Sequence, residues 1–403
     1  MVKKLKNLLI SLTVLLTTLV LIFLAGEFWV RNFVLVNKTS GNCVQADPIV
    51  KFKAVPSSEC RSQTPEWNII NKHNSFGLRN PETTLEKPAN TFRILYLGDS
   101  FVQGYGVAEE KSFVRTLEKK LNEKYSGSPK IEVINAGVPN YSPLIEYLYL
   151  KNEGVKFSPD LVILEFDMTD FSNDLAYSRE ADYDERGEPI AVPATPSASP
   201  RPQEATSQAI STPASTPKMA DKKLLPFLPS NIKQFFHDNS VFYKWLSTQF
   251  KILLGQPLAD PEKEGIENFY TIVKEDKQYD DKLWGNPKKN LKLINEILKE
   301  ENIPFIVSAH PHAILVSGTE WSTGRLLHGL ERGKVYDARY FTQMDTFLKE
   351  EGISFINLLS YFRDDKKEKY FPFDGHFNNH GHEVAANGIY QELTKLDLIK
   401  NKD

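Results

Sequence analysis

Residues 94–101 read Ile-Leu-Tyr-Leu-Gly-Asp-Ser-Phe, with Gly104 close behind, and they constrain this chain more than any other stretch. An apolar strand stops on a glycine and hands a serine to a tight turn. If a helix follows, Ser100 stands at its N-terminus, where unpaired N–H groups and the helix dipole favour developing negative charge. That environment suits acyl transfer and makes Ser100 the candidate nucleophile. A serine hydroxyl attacks only when a base removes its proton, so an imidazole and an orienting carboxylate must come from elsewhere. Residues 373–378, Phe-Asp-Gly-His-Phe-Asn, supply both as His376 and Asp374. Gly-Asp-Ser alone is equally an ordinary strand-to-helix turn. The C-terminal segment tips the balance.

The hydrophobic pattern around these two segments alternates. Strands are predicted at 94–97, 131–134, 161–166, 304–308 and 354–358. Helices are predicted around Phe113, Leu117 and Leu121, over 142–151, 288–300 and 338–350, and from about 381 to 393. Strands alternating with helices at this spacing predict a parallel five-stranded sheet covered on both faces, a three-layer α/β/α domain. Ligands of such sheets bind beyond the C-terminal strand ends. Ser100, Gly137, residues 167–170 and His310 all follow strands there. Residues 31–90 form a polar and aromatic lead without a long period. Between Pro193 and Pro217, 20 of 25 residues are Pro, Ala, Ser or Thr, which predicts a disordered insert at about 190–220 within a domain spanning 91–403. The apolar residues Phe235, Phe236, Val241, Phe242, Trp245, Leu246 and Phe250 predict an amphipathic helical pair packed on the core.

With 49 basic and 52 acidic residues, the chain carries a net charge of −3, which offers no electrostatic case for nucleic acid. Lys3, Lys4 and Lys6 precede 18 uncharged residues, 8–25, at the lower limit for crossing a bilayer as a helix. No clear small-residue cleavage pattern follows, so residues 1–30 read as a retained signal anchor in preference to a cleaved leader. The lysines favour a single pass with the remainder outside the cytoplasm. The two cysteines, Cys43 and Cys60, both lie beyond the span, where one disulfide is expected.

The blocks Gly98-Asp99-Ser100-Phe101, Asn135-Ala136-Gly137 and Asp374-Gly375-His376, in that order, resemble the SGNH hydrolases, the GDSL-type esterase and acyltransferase superfamily. The resemblance covers about 74–175 and 285–395 and implies a flavodoxin-like sheet. It implies Ser100 as nucleophile, His376 as general base and then acid, and Asp374 as the carboxylate behind the imidazole. It also implies an oxyanion hole from the N–H groups of Ser100 and Gly137. The family's third block normally supplies an asparagine, and Thr169 occupies that position here. A threonine hydroxyl reaches less far than a carboxamide. The resemblance implies no cofactor. By the same likeness, exported and anchored members point to an O-acetylated carbohydrate or similar ester as substrate, with hydrolysis and transfer both open, and to a possible membrane-bound acyl donor as partner.

Two further clusters carry expectations. His376, His380 and His382 with Asp374 have ligand types that suit zinc, but a shared ion would have to bridge a loop and a helix start, so no metal is expected. His382 reads as a supporting or helix-capping residue. His310, His312, Trp321 and Arg325 are expected at a substrate rim beyond the fourth strand. A catalytically degenerate carbohydrate-binding or assembly protein of the same fold is the alternative, motivated by Thr169.

Overall fold

The computed structural model describes residues 2–30, 38–41, 43–194, 235–236, 239–254, 277–328 and 330–399. Most of the expected Pro- and Ser-rich insert therefore lies outside the described residues. The central sheet contains Thr91–Gly98 (β1), Lys130–Gly137 (β2), Leu161–Phe166 (β3), Phe305–Ala309 (β4) and Ser354–Asn357 (β5), all parallel, in the order β5-β4-β3-β1-β2. That order is the flavodoxin-like winding, whose chain reversal beside β1 opens a crevice at the strand ends. Register is dense between β1 and β2, from Thr91 opposite Lys130 to Gly98 opposite Gly137. Both catalytically interesting strand ends are thus level. All six residues of β3 are buried, as expected for a strand covered on both faces.

The apolar helix Val2–Trp29 (α1) precedes the sheet. Six further helices cover it: Phe113–Lys124 (α2), Pro143–Asn152 (α3), Asp170–Glu180 (α4), Lys277–Glu300 (α6), Arg339–Glu350 (α7) and Asn379–Leu396 (α8); Val241–Leu253 is α5. On one face α2 packs on α8, and on the other α3, α4 and α6 pack together beside α7. The i, i+4, i+8 spacing of Phe113, Leu117 and Leu121 gives α2 one buried stripe, each side chain contributing about 1.5–3 kcal/mol. Strand and helix positions follow the hydrophobic pattern, with ends that differ by a few residues.

Two elements differ from expectation. The lead, read as having no long period, is built of short strands: Lys38–Ser40, Glu59–Gln63 and Asn68–Lys72 form an antiparallel sheet, and Val44–Asp47 pairs with Lys51–Ala54. Its strands are short and polar, so no period could announce them. Among the described residues, the apolar side chains of α5 are not part of the core. Phe242 and Trp245 meet Phe23 and Trp29 of α1 instead.

Cys43 and Cys60 are disulfide-bonded across 17 positions, tying the two small sheets of the lead together. Closing a loop of that length stabilises by about 3 kcal/mol. Cys43→Ser/Cys60→Ser should lower the unfolding free energy of the full chain by that amount in denaturant titration.

Candidate active site

Ser100 opens a four-residue helix, Ser100–Gln103, at the end of β1. Asp99 caps it, its Oδ1 accepting the Phe101 N–H at 2.8 Å, and Gly104 closes it in the left-handed conformation. The C-terminal end of β2 presses against this helix: a Cβ on Gly137 would lie 2.3 Å from the Gln103 nitrogen, so only glycine fits there. The Asn135 Nδ2 donates to the Val102 carbonyl at 2.8 Å and fixes the same contact.

Across 276 residues of chain, the His376 Nε2 lies 2.7 Å from the Ser100 Oγ. The other ring nitrogen, Nδ1, is hydrogen-bonded to the Asp374 carboxylate, which also accepts the His376 backbone N–H. The imidazole sits between the rings of Phe101 and Tyr105, with centroids 4.8 and 4.7 Å away. Burial alone would lower the pKa of this imidazolium. Asp374, by charge and hydrogen bond, with Asp99 and Asp167 behind it, outweighs burial and raises the pKa above the ordinary histidine value. The three side chains thus meet in nucleophile–base–carboxylate order, and the geometry permits proton transfer from Oγ to Nε2.

The loop that carries this pair, residues 369–378, is held from two sides. Glu66, in the turn between two lead strands, accepts the N–H groups of Phe373 and Asp374 at 2.9 and 3.0 Å. Burial, opposed by those two bonds, pushes its carboxyl up to about 7. On the opposite side the Trp321 indole donates to the Phe373 carbonyl at 2.9 Å, and the Thr323 and Gly324 N–H groups donate to the Pro372 carbonyl. Gly375 turns at φ +91°, where a side chain would also strike the indole. Arg79, fully buried in the lead, donates to the carbonyls of Gln103, Gly104 and Val107 and holds the end of the nucleophile helix. Sequence reasoning missed Glu66 and the task of Arg79. Both act through tertiary contacts from a polar segment with no local pattern.

At two expected oxyanion donors the structure differs from the sequence reading. The Gly137 N–H donates to its own neighbour's side chain, Asn135 Oδ1, at 3.0 Å. The Thr169 hydroxyl and N–H both donate to Asp167 Oδ1 at 2.6 Å. Short side-chain acceptors two residues upstream have captured these donors, the usual habit of Asn and Asp in turns. The Ser100 N–H, at the first position of its helix, has no intrahelical acceptor.

The four residues expected at the rim are held inside the domain. His310, His312, Trp321 and Arg325 are all buried, at most 9% exposed. Arg325 donates to the carbonyls of Ser317, Glu320, Glu331 and Lys334 and staples its own loop. The His312 ring packs on Trp321, and burial drives its pKa well below the ordinary value. His310 lies beneath the nucleophile, its ring 4.2 Å from that of Phe101 and its Nδ1 2.8 Å from Glu165 Oε1. The Nε2 of His310 is buried 3.8 Å from Asp167 Oδ2, with no hydrogen-bond partner among the described residues. Burial, then the Asp167 charge, raises Asp99 to about 7.

The remaining histidines separate. His380 bonds Asp365 at 2.9 Å, whereas His382 accepts the Phe113 N–H at 3.2 Å and so caps α2. Among the described residues no group of three His, Cys, Asp or Glu is arranged to hold a metal ion.

No family profile matches the chain, and no curated relative does. Solved structures similar to it include an acetyl xylan esterase, AlAXEase, at 13% identity and TM-score 0.36, covering 75% of this chain and all of that one. A putative lipolytic protein of the G-D-S-L family from Desulfitobacterium hafniense is 10% identical at TM-score 0.34, covering 74% and 98%. A catalytic mutant of the acetylxylan esterase Axe2 from Geobacillus stearothermophilus is 10% identical at TM-score 0.38, covering 77% and 97%. Likenesses of this size assign neither activity nor substrate to the chain.

Two measurements probe the site. Above pH 7, where the Glu66 carboxylate is ionised, Glu66→Gln leaves one acceptor for two N–H groups and sets an amide donor against the other. A buried unsatisfied N–H costs about 1–3 kcal/mol, so kcat/KM for an activated ester should fall about 10- to 100-fold. In the wild type, kcat/KM should rise with pH through an inflection above 6.5, because the base works neutral and its pKa is raised. Asp374→Asn removes the main raising influence and leaves burial, so the inflection should move to lower pH as the plateau falls by about a thousandfold or more.

Proposed function

We propose that this chain is a serine-dependent ester hydrolase or O-acyltransferase of the SGNH type. Its substrate is an acylated, and by the family resemblance O-acetylated, carbohydrate or a similar ester. The observation that carries the reading is the Ser100–His376–Asp374 chain of hydrogen bonds at the edge of the sheet. Ser100 Oγ attacks the ester carbonyl while His376 Nε2 takes its proton. The tetrahedral intermediate collapses, and the same proton goes to the departing alcohol. A water or sugar hydroxyl, deprotonated by His376, then attacks the acyl-serine and regenerates the free hydroxyl. Asp374 supports the imidazolium formed twice in the cycle.

The Ser100 N–H faces the oxyanion first. Gly137 joins it only by releasing Asn135, and Thr169 only by releasing Asp167. Each missing donor costs about 100- to 1000-fold in turnover, so the reading includes slow chemistry. The same captured donors favour, as a second reading, a glycan-binding or assembly protein that keeps the fold with little turnover.

We further infer that α1 stays in the membrane, Lys3, Lys4 and Lys6 on the cytoplasmic side, with the sheet domain outside. α1 is long and apolar enough to cross, with mean hydropathy 2.8 in its best window. An oxidising exterior also accommodates the Cys43–Cys60 bond.

Hydrolysis of p-nitrophenyl acetate by the full chain in detergent separates the readings. The expected result is measurable turnover that Ser100→Ala reduces at least about a thousandfold. Thr169→Ala should change kcat by less than about threefold, since a hydroxyl spent on Asp167 contributes none of the hundredfold or more expected of an oxyanion donor. Turnover unchanged in Ser100→Ala contradicts the proposal, and absent turnover with retained glycan binding favours the second reading.

A further inference from the structure

We propose that α5 is a second membrane contact: it lies in the headgroup–acyl boundary of the bilayer, docked on the C-terminal end of α1, with Leu246, Phe250 and Leu253 among the lipid chains. The inference rests on retention of α1 and is independent of the catalytic reading.

The docking is specific. The Glu27 carboxylate of α1 accepts the Ser240 hydroxyl at 2.8 Å and the N–H groups of Val241 and Phe242 at 3.1 and 2.9 Å, capping the N-terminus of α5. A carboxylate there satisfies orphan donors and complements the helix dipole. Phe23 meets Phe236 and Phe242 edge-on at 5.7 and 5.6 Å, and Trp29 meets Trp245 at 5.7 Å. Gly26 lets Phe242 approach, since a Cβ there would lie 2.8 Å from the ring. These contacts fall within residues 23–29 of α1, about 9 Å of axial rise. α5 therefore meets the span at one end, not along its length.

Continuing the stripe that begins with Phe242, beyond the contacts with α1, α5 carries Leu246, Phe250 and Leu253, exposed by 39%, 50% and 78%, at i, i+4 and i+7. Lys244, Thr248 and Lys251, also at i, i+4 and i+7, occupy the opposite side of the helix. Thirteen residues extend about 20 Å, too short for a hydrocarbon core of about 30 Å. A short helix with an apolar stripe, lysines opposite it and tryptophans at the seam has the makeup of an interfacial helix. Its occupant follows from continuity: Leu24 and Phe28 of the adjoining span are exposed by 57% and 63%, and the bilayer that covers them covers the stripe beside them. The contact also gives residues 23–29 a structural role that a leader removed after export would lack.

The test uses the full chain in vesicles of phosphatidylcholine with a minority of phosphatidylglycerol, the native disulfide left oxidised. An environment-sensitive NBD probe is placed on Phe250→Cys and, separately, on Thr248→Cys. The proposal expects blue-shifted emission at 250, quenched several-fold more by lipids bearing a nitroxide near the headgroup than at 248, with aqueous iodide showing the reverse order. Equal iodide quenching at both positions, or a probe at 250 reached by neither quencher, overturns it. A Trp29→Cys/Trp245→Cys pair should crosslink with a short bismaleimide in the same vesicles, a reagent long enough to replace the two edge-to-face indoles. No crosslink in a chain whose mass shows an intact N-terminus, or a mature chain beginning beyond residue 26, also overturns it.

Discussion

The hydrogen bond between Ser100 and His376 is the interaction on which the reading of this molecule depends. It joins the first bend after β1 to a loop near the C-terminus, and the proposed chemistry needs both partners. The parallel sheet brings them near, since every strand ends at the same edge. Nearness alone would leave Nε2 and Oγ loosely related. The remaining precision comes from braces outside the sheet: Arg79 on the nucleophile helix, Glu66 on one side of the histidine loop and Trp321 on the other. Two of the three belong to the lead or its turns, so the segment before the domain forms part of the site's framework.

Electrostatics around the pair is a contest between burial and charge. Burial disfavours an imidazolium at His376, and Asp374 reverses the balance by direct contact. Beneath the nucleophile lies a second polar layer, in which Tyr96 and Ser308 donate to Glu165 and Glu165 holds His310. Asp99 and Asp167 share this layer, and their mutual repulsion adds to burial in raising Asp99. Such a layer fixes the turn from below and places acidic groups close to the Ser100–His376 pair.

Legibility in the sequence tracked how local each determinant is. The fully apolar β3 and the stripe of α2 stand out because burial imposes a period on consecutive residues. Ser100, Asp374 and His376 stand out because a strand–glycine–serine turn and an Asp-x-His loop are local patterns, although their meeting is not. The hidden features are tertiary. Gly137 reads as an oxyanion donor until Asn135 is seen taking its proton, and Arg325 reads as a rim cation until four carbonyls surround it. Glu66 sits in a polar turn that nothing distinguishes. The apolar residues of α5 read as core in the sequence because amphipathicity specifies a face and not the partner that covers it.

The most direct test of the central claim is covalent labelling of the full chain by a fluorophosphonate, read by intact mass and peptide mapping. The account predicts one adduct, on Ser100, formed at a rate that collapses in His376→Ala. Labelling elsewhere, or an Ser100 adduct formed equally fast without the imidazole, would contradict it.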